Sequence, residues 1–563
     1  MADQIAPKLG ATGRREARPV PKGRQVDPDA LGEIGALLGA RSRARDLLIE
    51  HLHLLNDAYG VLTIRHLAAL AEEMRLAFAE VYEVASFYAH FEIVDGAPGP
   101  ALPVVRVCDG IACMMAGASA RQLAMTAALA GRARVVAAPC IGACDRAPAA
   151  AFGFCILDSA SASSFADAQA APAKTVPAGA ADAAHAAYRA GGGYRMLQAC
   201  RDGKLTREQI FTELDASGMR GLGGAGFPTG RKWRLVAEQP APRLMAINAD
   251  EGEPGTFKDR WLLEREPGRV LDGVLIAAWA TGCTTIYLYV RDEYPEARMI
   301  MAATIDAAAR AGVIGDMRIE LRRGAGAYVC GEESAMLESL EGKRGLPRHK
   351  PPFPAQRGLF GRPTLINNVE TLWWVPEILA RGGAWFANLG RRGGKGARAF
   401  SLSGRVRDPG VKIAPAGITL RELIDEFGGG MLPGHRLRAY LPGGASGGIL
   451  PAALDDLPLD FGKLEAQGCF VGSGAVVVLS DQDDLKAVAR NLVKFFEHES
   501  CGQCTPCRVG TEKATGLIAG EAWDRPLIEE LTRAMADASI CGLGQAAMNP
   551  VSSLFRHFPE ALR

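Results

Sequence analysis

Apolar residues recur every three to four positions through LGEIGALL, RDLLIEHLHLLNDAYG and IRHLAALAEEMRLAFAEVYEVASFY. That is the period of a helix face, so helices are predicted across residues 29–92. After the break GAPGP (96–100) comes a short apolar run, PVVRVC, ending at Cys108. RQLAMTAALA returns to helical spacing, and ARVVAAPC is a second short run, ending at Cys140. Two cysteine pairs thus begin where predicted strands end.

Residues 157–194 are rich in Ala, Ser and Gly and contain the GGG run at 191–193, a linker composition. Between 195 and 395, strand-like apolar runs alternate with helical ones, the pattern of an α/β domain. The uncharged stretch VLIAAWATGCTTIYLYV (274–290) approaches the length of a membrane span. Gly282 and Thr284-Thr285 divide it into a helix-like half and a β-rich half, which predicts a buried helix followed by a buried strand. Residues 396–465 change character: ARAFSLSG, KIAPAGITLRELIDEFGGG and LRAYLPGG read as short strands around one helix. From 466 to 563 the segments DLKAVARNLVKFFEHES, TEKATGLIAG and LIEELTRAMAD are helical. The expected fold class is a multidomain α/β and α+β chain with helical ends.

Charge removes some function classes. Sixty-four basic and 63 acidic residues balance, so no surplus points to nucleic acid. The start, MADQIAPKLGATGRREARPVPKGRQV, is basic and carries Pro and Gly. No apolar core follows Arg14-Arg15, so residues 1–28 are expected to be a disordered tail rather than a secretory or twin-arginine signal. A soluble, cytoplasmic protein is expected.

Thirteen cysteines in such a chain are not expected to form a disulfide framework. Cys155, Cys200, Cys283, Cys330 and Cys469 stand alone and read as small buried apolar residues. The other eight form two groups. ESCGQCTPCRVGT (499–511) spaces Cys501, Cys504 and Cys507 three apart, with Cys541 the only cysteine downstream. Three clustered ligands and one remote one would close a [4Fe–4S] site. A structural zinc or a CxxC redox pair remains open on spacing alone. Cys108, Cys113, Cys140 and Cys144 form C-x4-C and C-x3-C pairs on two loops. That arrangement suits a [2Fe–2S] rhomb better than the tight knuckles of a zinc ribbon.

Residues 218–232, GMRGLGGAGFPTGRK, place Gly221, Gly223, Gly224 and Gly226 where backbone N–H groups could cradle an anion; a bare glycine turn reads equally well. RLMAINADEGEPGTFKDR crowds Asp250, Glu251 and Glu253 into one loop after a predicted strand, where each needs a donor to face. RRGAGAYVCGEESAMLESLEG opens a helix at Glu332-Glu333, KPPFPA supplies a rigid turn bearing an aromatic, and TLINNVETL carries the amide pair Asn367-Asn368.

In this order, GMRGLGGAGFPTGRKW, NADEGEPGTFKDR, GAGAYVCGEESAMLESLEG, KPPFPA, INNVETL and ESCGQCTPCRVGT closely resemble the flavoprotein subunit of respiratory complex I and its soluble relatives. That resemblance covers about 200–563. Residues 29–155 resemble the thioredoxin-fold [2Fe–2S] subunit of the same module, so the two subunits look fused. The resemblance implies a helical domain (29–95), a thioredoxin-like [2Fe–2S] domain (96–156), a linker (157–194), a Rossmann-like FMN/NAD domain (195–395), a β-grasp domain (396–465) and a helical [4Fe–4S] domain (466–563). It implies FMN held by Gly221, Lys232, Asn248, Asp250, Glu251, Tyr328, Gly331, Glu332, Asn367, Asn368 and Thr371. It implies NAD(H) contacts from Phe227, Glu253, Glu333, Lys350 and Phe353. The implied cluster ligands are Cys501, Cys504, Cys507 and Cys541 for [4Fe–4S], and Cys108, Cys113, Cys140 and Cys144 for [2Fe–2S]. Leu222 departs from the Arg usual in complex I.

No general acid or base is expected, because a hydride passes directly between nicotinamide and flavin. The expected function is a diaphorase subunit that moves electrons between NAD and iron–sulfur clusters. The sequence contains no recognisable second substrate site. The variant LGGAGFPTGRKW and four intact N-terminal cysteines favour, by family resemblance, a NAD-dependent formate dehydrogenase with a molybdenum- or tungsten-pterin partner subunit. A NAD-reducing hydrogenase and complex I are the alternatives. A scaffold without turnover and a zinc-binding interaction protein are the non-enzymatic readings.

Overall fold

The computed structural model describes residues 25–96, 102–153, 155–157, 160–171, 175–177 and 179–562. Most of the basic tail lies outside the described residues, and the first helix, Pro28–Leu38, already begins at its last position. Asp27 caps that helix by accepting from the Asp29 N–H at 3.0 Å, with Pro28 at the first helical position. Helices Leu48–Tyr59, Ile64–Met74 and Phe78–Phe87 follow. Their apolar stripes (Leu52, Leu55, Leu67, Leu70, Val81 and Val84) are buried, as the helical period requires.

The next sheet has the order 134–138, 104–108, 150–152, 155–157. Val104–Cys108 and Arg134–Ala138 are parallel, and the last two strands are antiparallel. Helices Ile111–Met115 and Ala118–Ala128 connect the parallel pair. The second strand ends at Ala138, so Cys140 stands in the loop beyond it.

The stretch expected to be a linker forms two helices, Ala162–Ala170 and Ala180–Ala190. Alanine is the best intrinsic helix former, and a composition that suits a flexible tether also suits a helix with something to pack on. The first helix buries Phe165 in the core of the preceding sheet, and the second is anchored at Asp272, which accepts from the Tyr188 hydroxyl at 3.0 Å and the Tyr194 N–H at 2.8 Å.

The α/β domain is built on four parallel strands in the order Thr364–Asn368, Arg243–Ala249, Cys283–Val290, Arg318–Arg323. Its central strands are largely buried, which is why they read as apolar runs rather than alternating ones. The stretch 274–290 divides as expected: helix Pro267–Thr281, left-handed Gly282 at φ 70°, then strand Cys283–Val290. Among the described residues, no helix is long and apolar enough to cross a membrane. The strand order reverses at Arg243–Ala249, and the crevice at the carboxyl end of such a switch point is where α/β folds bind ligands.

The β-rich domain is a five-stranded sheet in the order 410–415, 397–404, 475–480, 437–441, 450–451, with one short helix from Leu420 to Phe427. Its central strand, Ala475–Ser480, lies beyond the expected boundary at 465. It pairs in parallel with Ala397–Gly404, a contact too distant in sequence for local pattern to reveal. Helices Leu485–His498, Thr505–Ala519, Arg525–Ala538, Gly542–Ala546 and Asn549–His557 complete the chain. Leu492, Phe496 and Cys507 share a core with Leu52 and Leu67 of the first helices.

Candidate functional site

The glycine loop is pinned at the mouth of the crevice. Gly221 N–H donates to the Phe227 carbonyl at 2.8 Å, and Leu222 N–H donates to Thr371 Oγ1 at 2.9 Å. A Cβ at Gly223 would lie 3.0 Å from the Asn368 Cβ, so the loop approaches that strand end as closely as glycine permits. Opposite it, Asn248 Nδ2 donates to the Gly331 carbonyl at 2.8 Å, while Asn248 Oδ1 accepts from the Asp250 N–H at 3.1 Å. A Cβ at Gly331 would sit 3.2 Å from the Asp250 carbonyl.

Asp250 has the chemistry of a ligand group. Its carboxylate is buried, and Oδ2 has no hydrogen-bond partner among the described residues. Burial pushes its pKa well above the usual carboxylate range. An orphaned buried acceptor beside a glycine-lined gap fits a flavin, which offers ribityl hydroxyls and a ring N–H. The residues present therefore fit FMN.

Several expected contacts are engaged elsewhere. Glu251 accepts from the N–H groups of Asp259 (2.8 Å) and Arg260 (3.2 Å) at the start of helix Lys258–Arg265, and from Tyr294 Oη at 3.0 Å. Burial and the neighbouring Asp259 raise its pKa to about 7. Glu253 accepts from the N–H and hydroxyl of Ser446 at 2.7 Å each and from the Tyr328 hydroxyl, which ties the acidic loop to the β-rich domain. Asn367 Oδ1 accepts from Trp233 Nε1 at 3.0 Å. Asn368 caps helix Val369–Arg381 and joins a buried cluster in which Lys258 pairs with Asp259 at 2.8 Å and Glu370 at 3.1 Å. These side chains shape the crevice walls.

The outer part of the crevice is charged and aromatic. Lys350 Nζ donates to Glu332 Oε1 at 2.9 Å and Glu333 Oε1 at 2.8 Å. Glu332 also caps helix Glu333–Leu340 through the N–H groups of Ser334 and Ala335. Lys232 lies 3.9 Å from Glu333, and burial lowers its pKa. Phe227 and Phe353 are 40% and 53% exposed, and Arg231 stands 5.8 Å from the centroid of the Phe227 ring.

Both cysteine groups assemble. Cys108, Cys113, Cys140 and Cys144 are buried, with the Cys140 and Cys144 sulfurs 3.5 Å apart. A Cβ at Gly110 would meet the Cys140 Cβ at 3.0 Å and the Cys108 sulfur at 3.5 Å, so only glycine lets the two loops close around the sulfurs. Cys504 and Cys507 stand at the start of helix Thr505–Ala519, and Cys541 at the start of Gly542–Ala546. A Cβ at Gly544 would lie 2.8 Å from that of Cys507, which brings the remote ligand segment against the cluster of three. Burial pushes the Cys507 and Cys541 thiols up to about 11. Helix N-termini offset the negative charge of thiolates and of the cluster they would hold. The isolated Cys200 and Cys283, buried away from both groups, are likewise pushed up to about 11.

Three links between crevice and cysteine segments carry no local signal of their partners in the sequence. Buried Arg291, just after strand Cys283–Val290, donates from Nη2 to the Cys140 carbonyl at 2.8 Å and from Nη1 to the Glu251 carbonyl. Arg260 donates from Nε to the Gly142 carbonyl at 3.1 Å and from Nη2 to Asp145 at 2.8 Å. On the other side, Tyr328 N–H donates to Glu499, two residues before Cys501, at 2.8 Å. A cation ending an apolar strand was the available signal for Arg291; its partner lies 151 positions away.

Comparison with known proteins agrees with this layout. The Nuo51 FMN-binding domain family matches residues 214–377, the iron–sulfur binding region of NADH–ubiquinone oxidoreductase-F matches 487–563, and the thioredoxin-like [2Fe–2S] ferredoxin family matches 34–167. The second F-type subunit of the NADH-quinone oxidoreductase of Rhizobium meliloti (strain 1021) is 44% identical over 386 residues, 66% of this chain and 91% of the relative. The mitochondrial NADH dehydrogenase [ubiquinone] flavoprotein 1 of Dictyostelium discoideum is 43% identical over 63% of this chain and 78% of its own length. A chain in the crystal structure of air-oxidised NAD+-reducing [NiFe]-hydrogenase superposes with a TM-score of 0.78 at 34% identity, covering 93% of this chain and 94% of that one.

Proposed function

The chain belongs to the family of the complex I flavoprotein subunit, and we propose that it is the NAD(H)-facing part of an enzyme whose partner subunit oxidises formate on a molybdenum- or tungsten-pterin centre. It is a NAD-dependent oxidoreductase subunit with an FMN- and NADH-binding domain, a thioredoxin-like [2Fe–2S] domain and a [4Fe–4S] region. FMN, when bound, supplies the exchange between two-electron hydride chemistry and one-electron transfer.

The observation that carries the reading is the pair of links from one crevice to both cysteine groups: Arg291 to Cys140, and Tyr328 to the Glu499 segment. Asp250, Asn248 and the glycine loop would hold the flavin. Phe227 and Phe353 would flank the nicotinamide nucleotide, and Lys350 with Glu333 would orient its polar groups. Closely packed walls built on Glu251, Asn367 and Asn368 would keep water from the reacting face.

The formate assignment draws support from the LGGAGFPTGRKW form of the glycine loop and from four intact N-terminal cysteines on one chain with the flavoprotein. The hydrogenase is the second reading, and the near end-to-end match to the NAD+-reducing hydrogenase chain favours it. The test is anaerobic isolation of the native complex followed by metal analysis. Molybdenum or tungsten, with formate-dependent reduction of the flavin, supports the first reading. Nickel with hydrogen-dependent reduction replaces it with the second.

A further inference from the structure

A cavity of about 380 Å³ lies behind the glycine loop, between the α/β and β-rich domains. None of the residues assigned above to flavin or nicotinamide lines it. Its floor is apolar, formed by Leu214, Met219, Leu222 and Phe386. Its walls carry four cations, Arg220, Lys395, Arg398 and Lys463, against two carboxylates. Both carboxylates are already engaged: Asp215 accepts from Arg234, outside the lining, at 2.6 Å, and Asp460 pairs with Arg398. Among the described residues, Arg220, Lys395 and Lys463 have no carboxylate partner.

The surplus sits on the exposed Arg220, Lys395 and Lys463, and the cation beneath them, Arg398, is held by Asp460. Arg398 is buried, and its guanidinium lies 4.0 Å from the centroid of the Phe461 ring, with Arg220 at 5.4 Å from the same ring. Burial lowers the Arg398 pKa, which shows the cost of holding that charge there. Arg220 keeps its two Nη groups beside this ring after Nε is spent on the Gly226 carbonyl, a donor pair of the kind that matches phosphate. Two lysines at the mouth offer a second, separate cation pair. The volume lies at the low end of the ~300–1,000 Å³ range of small-molecule sites, and a domain junction is a common place for one.

We propose that this cavity binds a compact organic anion carrying a phosphate and a second acidic group, and that its occupancy is felt at the nicotinamide site. The route is short. Arg220 Nε donates to the Gly226 carbonyl at 2.6 Å, and Gly226, at φ 64°, packs so closely on Phe461 that a Cβ there would lie 2.9 Å from the ring. Gly226 immediately precedes Phe227. An anion that fixes Arg220 against Phe461 fixes the backbone that presents Phe227, and binding at the two places is then coupled reciprocally. The coupling rests on the placement of Phe227 at the nicotinamide; the binding does not.

The test is calorimetric titration of the full-length, flavin-loaded protein at low ionic strength with 3-phosphoglycerate, and separately with glycerol 3-phosphate and inorganic phosphate. The comparison is Lys395→Glu with Lys463→Glu, and Lys395→Ala with Lys463→Ala should the reversed charges impair folding. One saturable site for 3-phosphoglycerate is expected, weakened about tenfold or more in the charge-reversed double variant, as like charge placed beside a bound anion requires. Flavin content and the KM for NADH without the anion should not change in the variants. The anion should lower that KM in the original protein and leave it unmoved in the variants. Equal binding by original and variant proteins, or no saturable binding, overturns the site. Inorganic phosphate binding as tightly as 3-phosphoglycerate overturns the second acidic group. Because the binding heat is read without NADH, a site that binds while KM stays fixed overturns the coupling alone.

Discussion

Arg291 donates from Nη2 to the carbonyl of Cys140 at 2.8 Å, across the boundary between the α/β domain and the thioredoxin-like domain. The same guanidinium reaches the Glu251 carbonyl and pairs with Glu293 at 3.1 Å. A buried positive charge thus stands beside one cysteine pair and holds the acidic loop with its other arm.

Removing that charge should be felt by any cluster on Cys140 and Cys144. A cation next to the cluster favours its reduced, more negative state. Arg291→Met should therefore lower the [2Fe–2S] potential by something on the order of tens of millivolts, at 59 mV per tenfold for one electron. Arg291→Lys should recover most of the shift. The Met variant should also be less stable by roughly 1–3 kcal/mol, the scale of leaving the buried Cys140 and Glu251 carbonyls without their donor. Potentiometry followed by electron paramagnetic resonance reads the first effect, and thermal unfolding reads the second. An unchanged potential in a folded Met variant would remove Arg291 from the cluster's surroundings.

Phe353 and Glu253, both expected at the nicotinamide nucleotide from the family resemblance, differ in what else they hold. Phe353 is 53% exposed, so its ring can be removed at little structural cost. Phe353→Ala should raise the KM for NADH by about three- to tenfold, matching ~0.5–1.5 kcal/mol for a lost stacking partner, with flavin retained. Glu253, by contrast, joins Tyr328 to Ser446. Glu253→Ala leaves buried donors on both, and should cost about 1–3 kcal/mol of stability alongside any change in KM. Steady-state kinetics and thermal unfolding of the two variants check the difference. A Glu253 variant that changes only KM would return this side chain to the nucleotide.

Asp272 gives a pH-dependent test far from both clusters. Burial raises its pKa to about 6 from the ordinary 3.8. A carboxyl whose folded pKa lies above its unfolded one gives up its proton more readily when unfolded. Stability is therefore full below pH 3.8 and falls as pH rises through 6. Asp272→Asn keeps an acceptor for Tyr188 and Tyr194 but cannot ionise. It should match the original protein near pH 4 and exceed it at pH 7.5 by up to ~3 kcal/mol, at 1.36 kcal/mol per pKa unit. Unfolding midpoints across that range decide it. A difference constant with pH would show that the carboxylate ionises as freely in the fold as out of it.

Local chemistry was legible in the sequence, and partnerships across long separations were not. The division of 274–290 at Gly282 could be read because a positive-φ glycine and a change of period are local signals. The C-x2-C-x2-C run and the C-x4-C and C-x3-C pairs could be read because the spacing within each is local as well. The central strand Ala475–Ser480 of the β-rich domain was placed outside it, since its pairing with Ala397–Gly404 is set by topology. The helices at 162–170 and 180–190 were hidden because alanine suits tether and helix alike; burial of Phe165 decides the first and Asp272 the second. In the acidic loop the sequence showed several carboxylates but not their partners. Asp250 keeps an oxygen free, whereas Glu251 spends its carboxylate on a helix start.

That contrast sets the last prediction. Among the described residues Asp250 Oδ2 is buried without a partner, and the pKa is pushed well up by burial. In the flavin-free protein this carboxylate is a liability: its folded pKa is raised, so the stability it costs grows as pH rises through that value. Asp250→Asn should stabilise the flavin-free chain at neutral pH by roughly 1–3 kcal/mol, the scale of an unsatisfied buried polar group. If Asp250 serves the flavin as a hydrogen-bonding group, Asn should hold FMN within about tenfold of the original affinity, whereas Asp250→Leu should lose it by the ~1–3 kcal/mol or more that stranded flavin donors cost. Flavin absorbance after gel filtration, with unfolding of the flavin-free forms, measures both sides. Retention of FMN by the Leu variant at original affinity would mean that Asp250 faces something other than the flavin, and that its open oxygen is a cost the fold carries for another ligand.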